Sequence, residues 1–240
     1  MVKGLLERSH RLLSAPVGAV PRALALAAAL LVVPTYFCPL WNLTMFAPQY
    51  PEGLRLDIYS YKLEGGNAGQ DLKEINLLNH YIGMRDLALD DFTEFKWMPF
   101  VLGALALVFL RAAVVGRVLD LVDSLVIFGY FGLFSLWSFA YKMYRYGHDL
   151  APGAPVKVDP FTPPLFGGQQ LANFEVYSYP QAGSWVLLGT GLALLLAVFL
   201  GARSVLEGLA GGGAGCGRGD FGHQRARARL EPVHIFIRID

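Results

Sequence analysis

Four long apolar runs divide the chain, at approximately residues 23–41, 97–115, 121–141 and 184–202. Each suffices to cross a hydrocarbon core of about 30 Å, which takes roughly 20 residues of helix. The pattern predicts an all-α membrane protein of four transmembrane helices. Pro34 falls inside the first run and should kink that helix without breaking it. Between the runs lie two long polar segments, 42–96 and 142–183, and one short turn, 116–120.

Within the long segments a second periodicity emerges. Leu56-Asp-Ile-Tyr-Ser-Tyr61 returns as Phe174-Glu-Val-Tyr-Ser-Tyr179. At a period of two each copy reads as a strand, with Leu56, Ile58 and Ser60 on one face and Asp57, Tyr59 and Tyr61 on the other. The copies suggest an internal duplication of two helical hairpins, with the strands pairing as a small sheet that joins the two loops into one α+β cap. The first loop also carries an amphipathic stretch in which Leu72, Ile75, Leu78 and Ile82 recur at helical spacing. Asp71 is its expected N-cap, with Glu74 as capping-box partner, and Gly83 its end. The aromatic face of the repeated strand should pack on this helix.

Charge orients the segments. Residues 1–22 hold four Lys or Arg against Glu7, the short turn between the second and third runs holds Arg117 with Arg111 shortly before it, and residues 203–240 hold six Arg. Segment 46–96 has nine acids against five bases, and 142–183 is balanced at three each. The positive-inside rule places both termini and the short turn in the cytoplasm and both long loops outside. Trp41, Trp97, Tyr141 and Trp185 mark the outer boundary. These features predict a multi-pass membrane protein with both termini cytoplasmic and its cap on the outer side. The first run is too long for a signal peptide and lacks a small-x-small site, so it reads as a retained anchor. Residues 203–240, rich in Gly and Arg, read as a disordered cytoplasmic tail.

Composition agrees: 54% of the 240 residues are hydrophobic and only 16% charged. A net charge of +1 without an outer basic cluster argues against nucleic acid as a partner, leaving the lipid bilayer and a periplasmic or membrane protein. Cys38 and Cys216 fall on opposite sides of the membrane and cannot pair. No nucleophile elbow, phosphate loop, zinc-protease helix or dinucleotide fingerprint occurs, so the chain reads as non-enzymatic. Asp123 should pair with Arg117 at the inner interface, and mid-depth charge suited to a pump is lacking.

One ligand set stands out. His80 and Met84 are four residues apart on the expected helix, His148 follows the third run, and Met45 and Cys38 lie near the outer end of the first. Imidazole with thioether or thiolate sulfur suits copper, Cu(I) above all. The competing reading packs the methionines in apolar surface and bonds the histidines to backbone.

The strings Ala47-Pro-Gln-Tyr-Pro-Glu-Gly-Leu54, Glu74-Ile-Asn-Leu-Leu-Asn-His-Tyr-Ile-Gly-Met84, Phe92-Thr-Glu-Phe-Lys-Trp97 and Pro160-Phe-Thr-Pro-Pro164 resemble an uncharacterised family of four-helix bacterial membrane proteins. The resemblance covers about residues 20–200 and implies an association with nitrous-oxide-reductase maturation or other copper and cytochrome genes. It transfers no catalytic residue. The expectation is an accessory protein whose cap binds copper or docks a periplasmic copper or cytochrome protein; the alternative is a structural subunit of a larger respiratory or photosynthetic complex.

Overall fold

The structure, a computed structural model, describes residues 12–171 and 174–212. It contains α1 (Ala19–Leu31), β1 (Trp41–Ala47), β2 (Tyr50–Ile58), β3 (Leu63–Gly65), α2 (Gln70–Tyr81), α3 (Glu94–Val115), α4 (Val118–His148), β4 (Gly167–Leu171), β5 (Phe174–Pro180) and α5 (Ala182–Gly212). Four segments are long and apolar enough to cross a membrane: Ala19–Tyr36, Glu94–Val115, Val118–His148 and Ala182–Gly208. The remaining elements form a small antiparallel sheet with one helix on it.

The four long apolar helices form one bundle. α1 lies between α3 and α5, and α4 packs against both of these. The contact face of α1 is Ala25, Ala28 and Ala29 with Val32, against Leu102, Leu105 and Phe109 of α3 and Leu194 and Ala197 of α5. Small side chains let apolar helices approach closely, which is how helices associate where burial from water supplies no drive. Buried hydroxyls at Thr35, Ser124 and Thr190 bond back to carbonyls of their own segments, at Val32, Asp120 and Val186.

Pro34 acts more strongly than a kink. Without an N–H it cannot continue the α-helical ladder, and it disfavours helical geometry at the residue before it. The α-helix therefore ends at Leu31 and a 3-10 turn, Val33–Tyr36, completes the segment. The last residue of the expected first span, Trp41, opens β1 instead. At the other end α5 remains helical to Gly212, so residues 203–212 are not the disordered start of a tail. The rest of that expected tail, with Cys216, lies outside the described residues.

At the short turn between α3 and α4 Arg22 holds the end of α3, donating from Nε to the Ala113 carbonyl at 2.8 Å and from Nη2 to that of Val114 at 2.6 Å. A cation at this position also opposes the negative pole of the helix. Gly116 closes α3 with φ +68° against the same guanidinium. Among the described residues the ion pair here joins Arg111 to buried Asp120 at 3.1 Å, not Arg117 to Asp123. The reason is position: Asp120 lies in the first turn of α4, within reach of the α3 terminus.

The sheet order is β3-β2-β1-β5-β4, antiparallel throughout. The repeated hexapeptides do not pair with each other, because β1 lies between them. Leu43 of β1 faces Leu56 on one side and Ser178 on the other, so the first position of one copy aligns with the fifth of the second. The copies also differ in conformation. β2 ends at Ile58 and its Tyr59-Ser-Tyr61 forms a turn closed by Tyr59 N–H to the Lys62 carbonyl, whereas Tyr177-Ser-Tyr179 stays in β5. Nor does the aromatic face meet α2. Leu54, Leu56 and Leu63 do, packing with Ile75 and Leu78, because burying aliphatic groups is favourable while Asp57 would lose its hydration.

Candidate functional site

Between the sheet, α2 and the C-terminal part of α4 lies an apolar cavity of about 100 Å³. The sheet contributes Leu43, Met45 and Val176, α2 contributes Leu78, and α4 contributes Phe139 and Met143. Alternation along β1 and β5 directs these sheet residues to one face. Phe161 and Pro163 of the second loop close a further side.

Backbone bonds hold the loops around the cavity. Ala151 N–H donates to the Gly83 carbonyl at 2.8 Å, Val156 N–H to Tyr81 at 3.0 Å and Phe161 N–H to Gly147 at 3.0 Å. Gly147 is required for the last contact: a Cβ there would stand 1.8 Å from the Phe161 carbonyl oxygen. Trp41 fastens the sheet to α4. Its ring lies 5.2 Å from Phe139 and 5.0 Å from Phe166, and its indole N–H donates to Ser178 Oγ at 2.7 Å, which passes a bond to the Leu165 carbonyl.

Of the five proposed ligands, Met45 and Met84 line the apolar cavity, and His80, His148 and Cys38 do not. His80 is exposed in the last turn of α2, which ends at Tyr81. Gly83 turns the chain at φ +79°, and the Met84 N–H returns to the Asn79 carbonyl. The four-residue spacing therefore does not place both side chains on one helical face, and Met84 lines the cavity while His80 does not. His148 is exposed, stacked on Tyr144 at 3.9 Å with Nδ1 2.9 Å from that residue's carbonyl. Cys38 follows the 3-10 turn, free and half-buried, and takes no part in the cavity wall. Met45 does line it, together with Met143, which sequence reasoning passed over because an isolated methionine in a helix reads as ordinary packing. Among the described residues no three His, Cys, Asp or Glu are placed to share a metal ion.

A polar cavity of about 220 Å³ adjoins the apolar one, lined by Arg85, Asp91, Tyr141, Lys142, Arg145, Tyr146 and Asp149. Lys142 and Tyr146 belong to both walls. Asp149 accepts from Arg85 and Arg145, each at 3.2 Å. Lys142 donates to the Asp91 carbonyl at 2.6 Å, lies 3.5 Å from Glu94 and stands over the Phe92 ring. Elsewhere on the sheet and α2, Tyr50 and Gln70 donate to the Glu74 carboxylate. These bonds hold the Glu74 carboxyl below its usual range, and the bond to Glu74 pushes the Tyr50 phenol up.

Asp71 is not an N-cap. α2 starts at Gln70 after Gly69, which adopts φ +87°. The buried Asp71 carboxylate instead accepts the Arg55 N–H at 2.9 Å and the Asn67 amide at 2.8 Å. Comparison with protein-family models, curated proteins and solved structures returned no match, so the geometry of the two adjoining cavities carries the functional argument.

Proposed function

We propose that this chain is a non-enzymatic accessory protein of the bacterial inner membrane whose periplasmic cap takes up the apolar chain of a membrane amphiphile. The observation that supports it is the apolar cavity between sheet and α2, walled by the C-terminal part of a helix long and apolar enough to cross a membrane. Protein interiors are normally filled, and a void of this size costs about 2 kcal/mol in lost contacts. An apolar cavity stays dry and accepts apolar guests, so an alkyl segment would recover that loss. The bilayer supplies such a segment at the level of Phe139 and Met143.

The test is mass spectrometry of lipid retained by the detergent-purified protein. Wild type should keep an amphiphile through washing, and Val176→Phe, which fills the cavity, should release it while preserving the fold. Retention by neither protein, or equally by both, overturns the reading.

A second reading keeps copper, because Met45, Met84 and Met143 bring three thioethers to one apolar wall. Soft sulfur favours Cu(I). His80, His148 and Cys38 have no part in this version. Copper taken up by wild type and lost in the Met→Leu variants would select it. Co-purification at fixed stoichiometry with a partner complex, without lipid or metal, would instead favour a structural subunit.

A further inference from the structure

We infer that the amphiphile is zwitterionic, with its acidic group held by Arg85 and Arg145 and its cationic group by Asp91. This rests on the reading of the apolar cavity as a chain site. The two cavities adjoin at Lys142 and Tyr146, which line both, so the polar one is the nearest place for the headgroup of a molecule whose chain occupies the apolar one.

The charges of the polar cavity are arranged in two parts. Asp149 is divided between two guanidiniums, which leaves that corner with one positive charge in excess and several N–H donors to spare. Guanidinium donors in this number suit a phosphate or carboxylate. Lys142 is already engaged by Glu94 and the Asp91 carbonyl, so it adds little to the positive corner. Asp91 lines the same cavity, and among the described residues its carboxylate forms no ion pair. A positive excess and a carboxylate outside any ion pair, both in one cavity lining, match a headgroup that carries both signs. A purely anionic headgroup would gain the arginines and meet Asp91 unfavourably.

A third group points the same way. The Tyr146 hydroxyl oxygen is buried and has no hydrogen-bond partner, although its residue lines both cavities. Buried hydroxyls are ordinarily bonded, and an orphan at the junction of chain and headgroup sites suits an ester or phosphate oxygen. Tyr141, which lines the same cavity, is exposed and stacks on exposed Trp137, an aromatic pair of the kind that sits at a membrane–water interface.

The experiment is native mass spectrometry of delipidated protein re-exposed to mixed micelles with equal amounts of a zwitterionic and an anionic phospholipid of identical chains. Wild type should bind the zwitterionic lipid in preference. Asp91→Asn should reverse or erase the preference by about twofold to fivefold, the scale of an exposed ion pair. Arg85→Gln combined with Arg145→Gln should weaken binding of both lipids. Equal binding of both lipids by wild type, or a preference unchanged in Asp91→Asn, overturns the headgroup assignment and leaves the chain site standing. No lipid bound by wild type overturns the chain site itself. Asp91 is exposed, so its variant folds as wild type does, as its thermal transition would verify.

Discussion

The buried carboxylate of Asp71 accepts the backbone N–H of Arg55, and so finishes the edge of β2 where β3 stops pairing. The Arg55 carbonyl takes the Gly66 N–H at 2.8 Å, so both backbone groups of this residue are satisfied by the connection into α2. Asp71→Ala would leave the Arg55 N–H unpaired and should destabilise the cap by about 1–3 kcal/mol. Asp71→Asn keeps an acceptor and should lose less. Thermal unfolding of both variants in detergent checks the order.

Gly147 holds the second loop by having no side chain. Gly147→Ala forces a methyl group against the Phe161 carbonyl and should destabilise by about 1–3 kcal/mol, with the loop freed first. Gly132→Ala is the control, since it lies in the same helix with open space around it and should be neutral or mildly stabilising. Limited proteolysis within residues 150–166 would separate the two: early cleavage is expected in the first variant alone.

Glu74 should make the cap acid-sensitive. Its folded pKa is depressed by the bonds from Tyr50 and Gln70, so their contribution is complete above the unfolded glutamate value of about 4.3. It is lost as pH falls through the lower, folded value. The melting temperature of wild type should therefore fall more steeply between about pH 5 and pH 3 than that of Glu74→Gln. Parallel curves for the two proteins would assign the pH dependence to other carboxylates.

Arg22 should stabilise the bundle through the end of α3. Arg22→Ala removes two hydrogen bonds and a favourably placed charge, and should cost about 1–2 kcal/mol. Arg22→Gln, which retains a donor, should recover part of this in the same melting assay.

The orientation rests on charge and is open to direct measurement. In a background without native cysteines, a cysteine at exposed Glu52 should react with a membrane-impermeant thiol reagent in intact spheroplasts. One at exposed Arg117 should react only after lysis. The reverse pattern would invert the topology and place the cap in the cytoplasm.

The spanning segments and the short helix were legible because each is written in local periodicity. Long apolar runs have few alternatives, and Ile75 and Leu78 mark the buried side of α2 by spacing alone. β1 was hidden because Trp41–Ala47 directly follows the first apolar run and reads as its continuation. The repeated hexapeptide gave the correct alternation in both copies, since Leu56 and Val176 are buried, but not the pairing. Register depends on which strand fills the space between, and no local pattern encodes that.

The same division governs the site. The sequence by itself determined which groups were available: apolar residues at alternate strand positions, methionines, and three cations and two acids along 85–149 that come to line one cavity. It also suggested a wrong partnership, because His80 and Met84 stand at helical spacing. Only the tertiary structure decided that α2 ends between them, at Tyr81 before the left-handed Gly83, so that one side chain faces solvent and the other an apolar wall. Only tertiary structure, too, placed Lys142 and Tyr146 between an apolar and a polar cavity, since that junction joins residues far apart in the chain. Periodicity reports which face a side chain occupies. What that face meets is fixed by long-range burial and by the backbone bonds that hold the two loops together.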